Sequence, residues 1–514
     1  MRNFFAIFKT QVLSYFGINK MLKGGKKGKL RLAGLIAVAL AIGLFLSGCV
    51  YLYSFVFSEI IPLVDIVPTF NSVSALVCFV FSFYIIGETL FGFKDYDVLC
   101  SMPIKTHVII LAKLSLLLLV NAVFSIFLVV PSIIFVGKST PLTFGYVISS
   151  IVMAIFTPTL SLAISIIVGV IVAFISTNFK NKGTAQTIFY FLLTIGLLVA
   201  SFLSANPAEI LNKIAFFAPI YVKGQTSIVY MLIYLAICII SVAIIITLLC
   251  TFYKKLNTLL LSKKTTKNYV LEKANTSSLY KSLVKKEIKR LFSSPTYAVN
   301  CCMGLVFTLF LIGGLVYLSI EGLLSLITPD IVLMCAVFLP TYVVFSFTLA
   351  PTTCCSISIE GKTFWLIKTF PIDVNTYFKA KLTVNFLLNT LVAFLSTIIL
   401  GIVFGLGIEY LLLLAIISFA MPTFAGTFGL LIDLRFANFK WKTEQEVVKS
   451  GQGILFCCLM AMVLSAMLGV TAYFWGLSNP LIYLILVAIF SIIINAVVLV
   501  ILLEKGEKML IKLN

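Results

Sequence analysis

Two stretches of nineteen residues decide the reading of this chain: PIKTHVIILAKLSLLLLVN at 103–121 and PIDVNTYFKAKLTVNFLLN at 371–389. Aligned without a gap at an offset of 268, they pair Pro103 with Pro371, Ile104 with Ile372, Ala112-Lys113-Leu114 with Ala380-Lys381-Leu382, and Asn121 with Asn389. Two shorter echoes share an offset of 264: Phe81-Ser82-Phe83 recurs as Phe345-Ser346-Phe347, and Pro158-Thr159 as Pro422-Thr423. In each long copy a proline ends one segment and leads straight into the next helix. A chain of 514 residues that repeats itself in this way is two halves of one architecture.

Composition fixes the solvent of that architecture. Apolar residues make up 61% and charged residues 11%, and the mean hydropathy is +1.15. A soluble domain of this length cannot hide so much apolar surface, so lipid must be the solvent. The net charge of +20 could suggest nucleic acid. The basic residues, however, fall in short loops between apolar runs, as topology determinants do, and form no basic face. No nucleic-acid partner is expected. Twelve Cys residues show no CxxC spacing and only adjacent pairs, Cys301-Cys302, Cys354-Cys355 and Cys457-Cys458, which read as buried apolar thiols. No metal site is expected. Leu46-Ser47-Gly48-Cys49 resembles a lipoprotein cleavage box, but about thirty residues precede its apolar run, too many for a signal peptide.

Apolar runs of roughly twenty residues or more mark twelve spans. They fall at about 32–56, 71–91, 107–136, 143–175, 186–203, 225–252, 297–319, 331–353, 378–405, 410–433, 452–475 and 481–503. The fourth is long enough for two short helices, but its counterpart in the second half is not. One helix bent at Pro158, matched by Pro422, is therefore expected. With both termini inside, the outer loops hold only Lys138, Lys213 and Lys223 of the 38 basic residues. They also hold Glu59, Asp65, Glu209, Glu321, Asp330 and Glu409, a strong positive-inside pattern. Six spans per half insert both halves in the same sense, related by a pseudo-two-fold along the membrane normal. The expected fold is an all-α polytopic membrane protein of two parallel six-helix repeats. The first six-span half is 1–252, a basic cytosolic linker is 253–296, and the second half is 297–514.

Each half opens with an amphipathic segment. Phe5, Phe8, Val12 and Tyr15 share one helical face, followed by the basic run from Lys20 to Arg31. Leu279, Leu283, Val284, Ile288 and Leu291 form a stripe opposite Lys281, Lys285, Lys286, Lys289 and Arg290, with Glu287 among them. Such helices lie in the headgroup plane, as plain anchors or as elbows that also touch a cytosolic partner. Between the second and third spans of each half comes a loop that mixes charge with large apolar groups. In the first half it holds Lys94, Asp95, Asp97, Pro103, Ile104 and Lys105. In the second it holds Glu360, Gly361, Lys362, Trp365, Lys368, Pro371 and Ile372. The apolar groups must pack on the protein's own helix ends or on a partner, and recurrence in both halves favours a two-fold docking site. Lys113 and Lys381 read as snorkelling side chains. Asn121 and Asn389, about two turns deeper, read as interhelical glue that holds the halves together or as contacts to a transported molecule. His107 reads as structural. The outer segment 204–223 could dip into the outer leaflet.

No phosphate-binding loop, no H-E-x-x-H and no carboxylate near the middle of a span occurs in the sequence. The chain is therefore not expected to be an enzyme or to hydrolyse ATP. At this point the residues resemble a family. The K-D-x-D-x-L-x-S-x-P-I loop at 94–104, E-G-K-x-F-W-x-[IL]-K-x-x-P-I at 360–372, and K-K-E-I-K-R-L-F-S-S-P at 285–295 are similar to ABC exporter permeases of Firmicutes. In that family two ABC-2-like six-span halves are fused in one chain. The resemblance implies a permease in the bacterial plasma membrane with both termini cytosolic. It also implies a separate cytosolic ABC ATPase, in two copies, that carries the ATP and Mg. Residues 3–18 and 279–292 would be its elbow helices, and 94–106 and 360–374 its coupling helices. The first-half loop lacks the E-G-K-x-F-W pattern. An ion-coupled carrier of two six-helix bundles is the alternative, and a membrane scaffold or sensor a third reading.

Overall fold

The computed structural model describes residues 2–15, 25–58, 62–91, 101–179, 181–203, 227–261, 278–320, 329–441, 444–449 and 451–513. Among them every regular element is a helix, as the apolar runs require. Lys94, Asp95 and Asp97, and the outer segment 204–223, lie outside the described residues. The chain divides into two compact units, Met1–Lys267 and Asn268–Asn514, with the boundary inside the stretch read as a linker.

The first unit holds the short helix α1 (Arg2–Tyr15) and six long ones: α2 (Gly25–Ser58), α3 (Leu63–Phe91), α4 (Thr106–Ser139), α5 (Phe144–Ser176), α6 (Lys182–Leu203) and α7 (Ile228–Leu261). The second begins with the amphipathic α8 (Leu279–Ser293), then α9 (Pro295–Ile320) and α10 (Pro329–Thr348). Two 3₁₀ turns (Thr352–Cys355 and Ser358–Thr363) and the one-turn α11 (Trp365–Thr369) lead into α12 (Val374–Asn385). A π turn (Phe386–Thr390) joins α12 to α13 (Leu391–Val403), and α14 (Ile408–Arg435) follows. The unit ends with α15 (Gln445–Val448), α16 (Gln452–Thr471), a second π turn (Ala472–Gly476) and α17 (Pro480–Ile511). Each of the twelve expected spans falls on a long helical stretch, the ninth being divided between α12 and α13 by the π turn. Nine helical stretches among the described residues are long and apolar enough to cross a membrane.

The second span departs from expectation in an instructive way. It begins at Leu63 rather than about residue 71, although Asp65 and Pro68 lie in its first two turns. Ile66, Val67 and Phe70 are buried there against Val50, Val129 and Ile133. Pro68 cannot donate to the carbonyl of Val64, four residues back. The Tyr146 hydroxyl, from α5, donates to that oxygen instead, at 3.4 Å. The same device recurs at Pro131 inside α4: the freed carbonyl of Phe127 accepts from the Ser47 hydroxyl of α2, at 3.3 Å. A neighbouring helix thus supplies the donor that lipid cannot. The fourth span runs as one helix through Pro158, as its counterpart α14 does through Pro422.

Within lipid no hydrophobic force drives helix against helix, so small polar side chains and close packing must hold the bundle. Ser161 and Ser165, one turn apart on α5, donate to the carbonyls of Ala75 (2.7 Å) and Phe79 (2.9 Å) on α3. Ser74 of α3 donates to Ser125 of α4 at 2.7 Å. Asn121 lies on α4, fully buried, and donates to Ser82 of the Phe-Ser-Phe echo on α3. The adjacent cysteine pairs are free thiols, buried apart from the half-buried Cys458.

Candidate functional site

The two Pro-Ile motifs fold alike. The amide of Ile104 donates to the carbonyl of Met102, and that of Ile372 to the carbonyl of Phe370, each at 2.7 Å. Both are three-residue turns centred on the proline, whose fixed φ suits them. Each turn sets the entry of a long helix. Pro103, Lys105 and Pro371 are exposed, and Ile104 and Ile372 half-buried. In the first unit α1 packs on the start of that helix: Ile7, Phe4 and Phe8 meet Ile104, Val108, Ile109 and Ala112. Phe8 therefore lies on the packed face, whereas Phe5 is 63% exposed. In the second unit α8 occupies the equivalent place on α12, where the Tyr280 and Thr383 hydroxyls share a hydrogen bond of 2.6 Å.

Beneath α8 lies a buried ionic cluster that local sequence does not announce. The Glu360 side chain is 1% exposed and the Lys381 side chain 0%. Glu360 lies 3.1 Å from Lys381, 3.2 Å from Arg290 and 3.5 Å from Lys286. Tyr377 donates to its Oε1 at 2.8 Å. Glu287 lies 3.2 Å from Lys381 and 3.6 Å from Arg290. Lys381 also donates to the carbonyl of Ser356 at 2.7 Å. Burial pushes the Lys286 ammonium below its ordinary pKa, and the pull of Glu360 only partly opposes this. Lys381 is thus no snorkelling cation. It joins the Pro-Ile helix, α8 and the loop at one point. Lys113 is buried at the matching position of the first unit. Lys285 and Lys289 point away from the cluster and are exposed.

The loop itself is folded into the unit. Residues 351–361 are buried throughout. Asp433, at the end of α14, accepts from the amides of Ile357 (2.7 Å) and Ser358 (3.1 Å) and from the Ser358 hydroxyl. Asn385 accepts from the amide of Thr352 (3.1 Å) and from Asn389 (2.9 Å), and donates to the carbonyl of Pro422 (3.2 Å). Asn389 and Pro422, both buried, therefore meet through Asn385 inside the second unit. A side chain at Gly426 would strike Asn385, its Cβ 2.4 Å from Nδ2, so only glycine admits this contact. Gly361 holds φ 54°, ψ −131°, which turns the chain toward α11.

Beyond that turn the apolar groups divide. Phe364 and Ile367 are buried with Tyr377, Phe378, Leu430 and Leu434, and Phe364 stacks on Phe439 at 4.4 Å. Trp365, Leu366 and Phe370 are 60%, 37% and 58% exposed. Lys362 is exposed, and the exposed Lys368 donates to the carbonyl of Leu513. The loop thus packs on its own unit with one side and presents apolar groups on the other. Sequence reasoning did not single out Tyr377, Asn385, Asp433 or Trp441. The first two carry a weak signal, each lying one helical turn before a repeat residue, Lys381 and Asn389.

Asp433→Asn is expected to cost about 1–3 kcal/mol, because an amide nitrogen would face donors that now find a carboxylate. Faster hydrogen exchange at the amides of Ile357 and Ser358 would report it. Unchanged exchange would show that Asp433 does not hold the loop.

No curated protein and no solved structure matches the chain. The family described as "Membrane protein of 12 TMs" matches residues 33–505, nearly the whole length and both units. The chain belongs to that family of membrane proteins with twelve transmembrane segments.

Proposed function

We propose that this multi-pass protein is the permease subunit of an ATP-driven exporter, worked by a separate cytosolic ABC ATPase in two copies. On this reading ATP and Mg are bound by the partner, and the cargo is amphipathic or hydrophobic: a peptide, a lipid or a drug. The observation that supports it is the divided loop at 360–372. Trp365, Leu366 and Phe370 stand exposed on a turn whose opposite side is fixed by Glu360, Phe364 and Ile367. Exposed aromatic groups on a rigid base suit a protein partner, and force applied to them reaches α8 and α12 through the ionic cluster.

The double variant Trp365→Ala/Phe370→Ala is expected to leave thermal stability within about 0.5 kcal/mol of wild type. It should weaken binding of the ATPase about 30-fold, the scale of an interface hot spot. The partner is to be identified by purifying the tagged full chain from its native membrane, and binding measured in detergent. Undiminished binding by the variant would count against the docking role. Transport by the isolated chain with only a proton gradient present would overturn the reading in favour of an ion-coupled carrier.

A further inference from the structure

A groove of about 290 Å³ opens on the second unit between α8, α12, α14 and α17. Its mouth is formed by Tyr280 and Lys379, and its walls by Leu382, Phe386, Thr423 and Leu499. The π turn at Phe386–Thr390 lies in one wall, and Thr423 and Thr427 of α14 lie in the other. Wide turns of this kind are uncommon and concentrate at functional sites. Three features define the occupant. No acidic residue lines the groove, and Lys379 is exposed at its mouth. The mouth lies beside α8, a basic amphipathic helix of the kind that rests at headgroup depth. From there the groove runs along Leu382 and Phe386 toward the apolar α13.

We propose that this groove binds an anionic phospholipid of the bilayer. The headgroup phosphate lies at Lys379 and the Tyr280 hydroxyl, and one acyl chain lies against Leu382, Phe386 and Leu499. A bilayer phospholipid already has its charge at headgroup depth and its chains below, so it enters sideways without leaving the membrane. The site does not depend on the ATPase, and it stands or falls separately from the exporter reading.

The test is native mass spectrometry of the purified, delipidated full chain, re-equilibrated with phosphatidylglycerol, phosphatidylcholine or palmitate. Phosphatidylglycerol should be retained in preference to phosphatidylcholine. Lys379→Gln should reduce its retention about fivefold, the effect of one basic residue near an anionic headgroup. Leu499→Trp, which fills the groove from a position already 41% exposed, should reduce it further. Both variants alter exposed side chains, and matching melting curves verify that they fold. Equal retention of the two phospholipids would overturn the proposal. So would retention unmoved by both variants, or binding of palmitate with no retention of phosphatidylglycerol.

Discussion

Glu360→Gln is expected to destabilise the second unit by about 3–5 kcal/mol, the cost of removing one partner from a buried ion pair. Glutamine keeps the shape and can still accept the hydrogen bond from Tyr377, so the loss is one of charge. Three cations, Lys286, Arg290 and Lys381, now face two carboxylates, Glu287 and Glu360. In the variant they would face Glu287 alone. The Lys286 side chain is 39% exposed and can turn to solvent. Lys381, at 0% exposure, cannot. Unfolding of the full chain in detergent, with Lys285→Gln as an exposed control, measures the effect.

The charge count also predicts a rescue. Lys381→Met alone would leave two cations with two carboxylates, but would deprive the Ser356 carbonyl of its donor, a loss of about 1–3 kcal/mol. Combined with Glu360→Gln it removes the cation that the neutral amide strands. The double variant should therefore be more stable than the sum of the two losses by about 1–3 kcal/mol. Simple additivity, or a Glu360→Gln cost below about 1 kcal/mol, would mean that the cluster is solvated and does not tie α8 to the loop.

The spans were legible because lipid imposes a length and an apolar content that any run can be checked against. The duplication was legible because Pro-Ile, Ala-Lys-Leu and Asn keep their register, and the structure gives both copies the same turn. The start of the second span was hidden, since Asp65 and Pro68 read as a loop until the Tyr146 hydroxyl meets the Val64 carbonyl. The ionic cluster was hidden for a related reason. Its basic residues were visible on α8, but Lys286 and Glu360 lie 74 residues apart, and no local spacing links them. Lys381 is one residue in two settings: at a helix end in the sequence it reads as a snorkelling group, and inside three packed elements it is a fixed charge.

Gly361→Ala is expected to cost about 2–4 kcal/mol, on two independent grounds. At φ 54° and ψ −131° an L-side chain is strained by about 1–3 kcal/mol wherever it stands. A Cβ here would also sit 2.9 Å from Cζ2 and 3.0 Å from Nε1 of Trp441. The indole cannot simply yield, because its Nε1 donates to the Ser358 carbonyl at 2.8 Å. Displacing it breaks that bond and uncovers the turn whose other amides are held by Asp433. The chain has three tryptophans, so Trp365→Phe and Trp475→Phe leave Trp441 as the sole emitter. In that background Gly361→Ala should shift the emission to the red and lower the unfolding midpoint, whereas Lys362→Ala, exposed, should do neither. If the exposed face of α11 is where a partner pushes, Gly361→Ala in the otherwise wild-type chain should weaken partner binding without touching Trp365, Leu366 or Phe370. Gly361 sets the direction in which that face points, and a strained turn cannot hold it. An emission spectrum and midpoint indistinguishable from the background protein would show that the loop bends elsewhere.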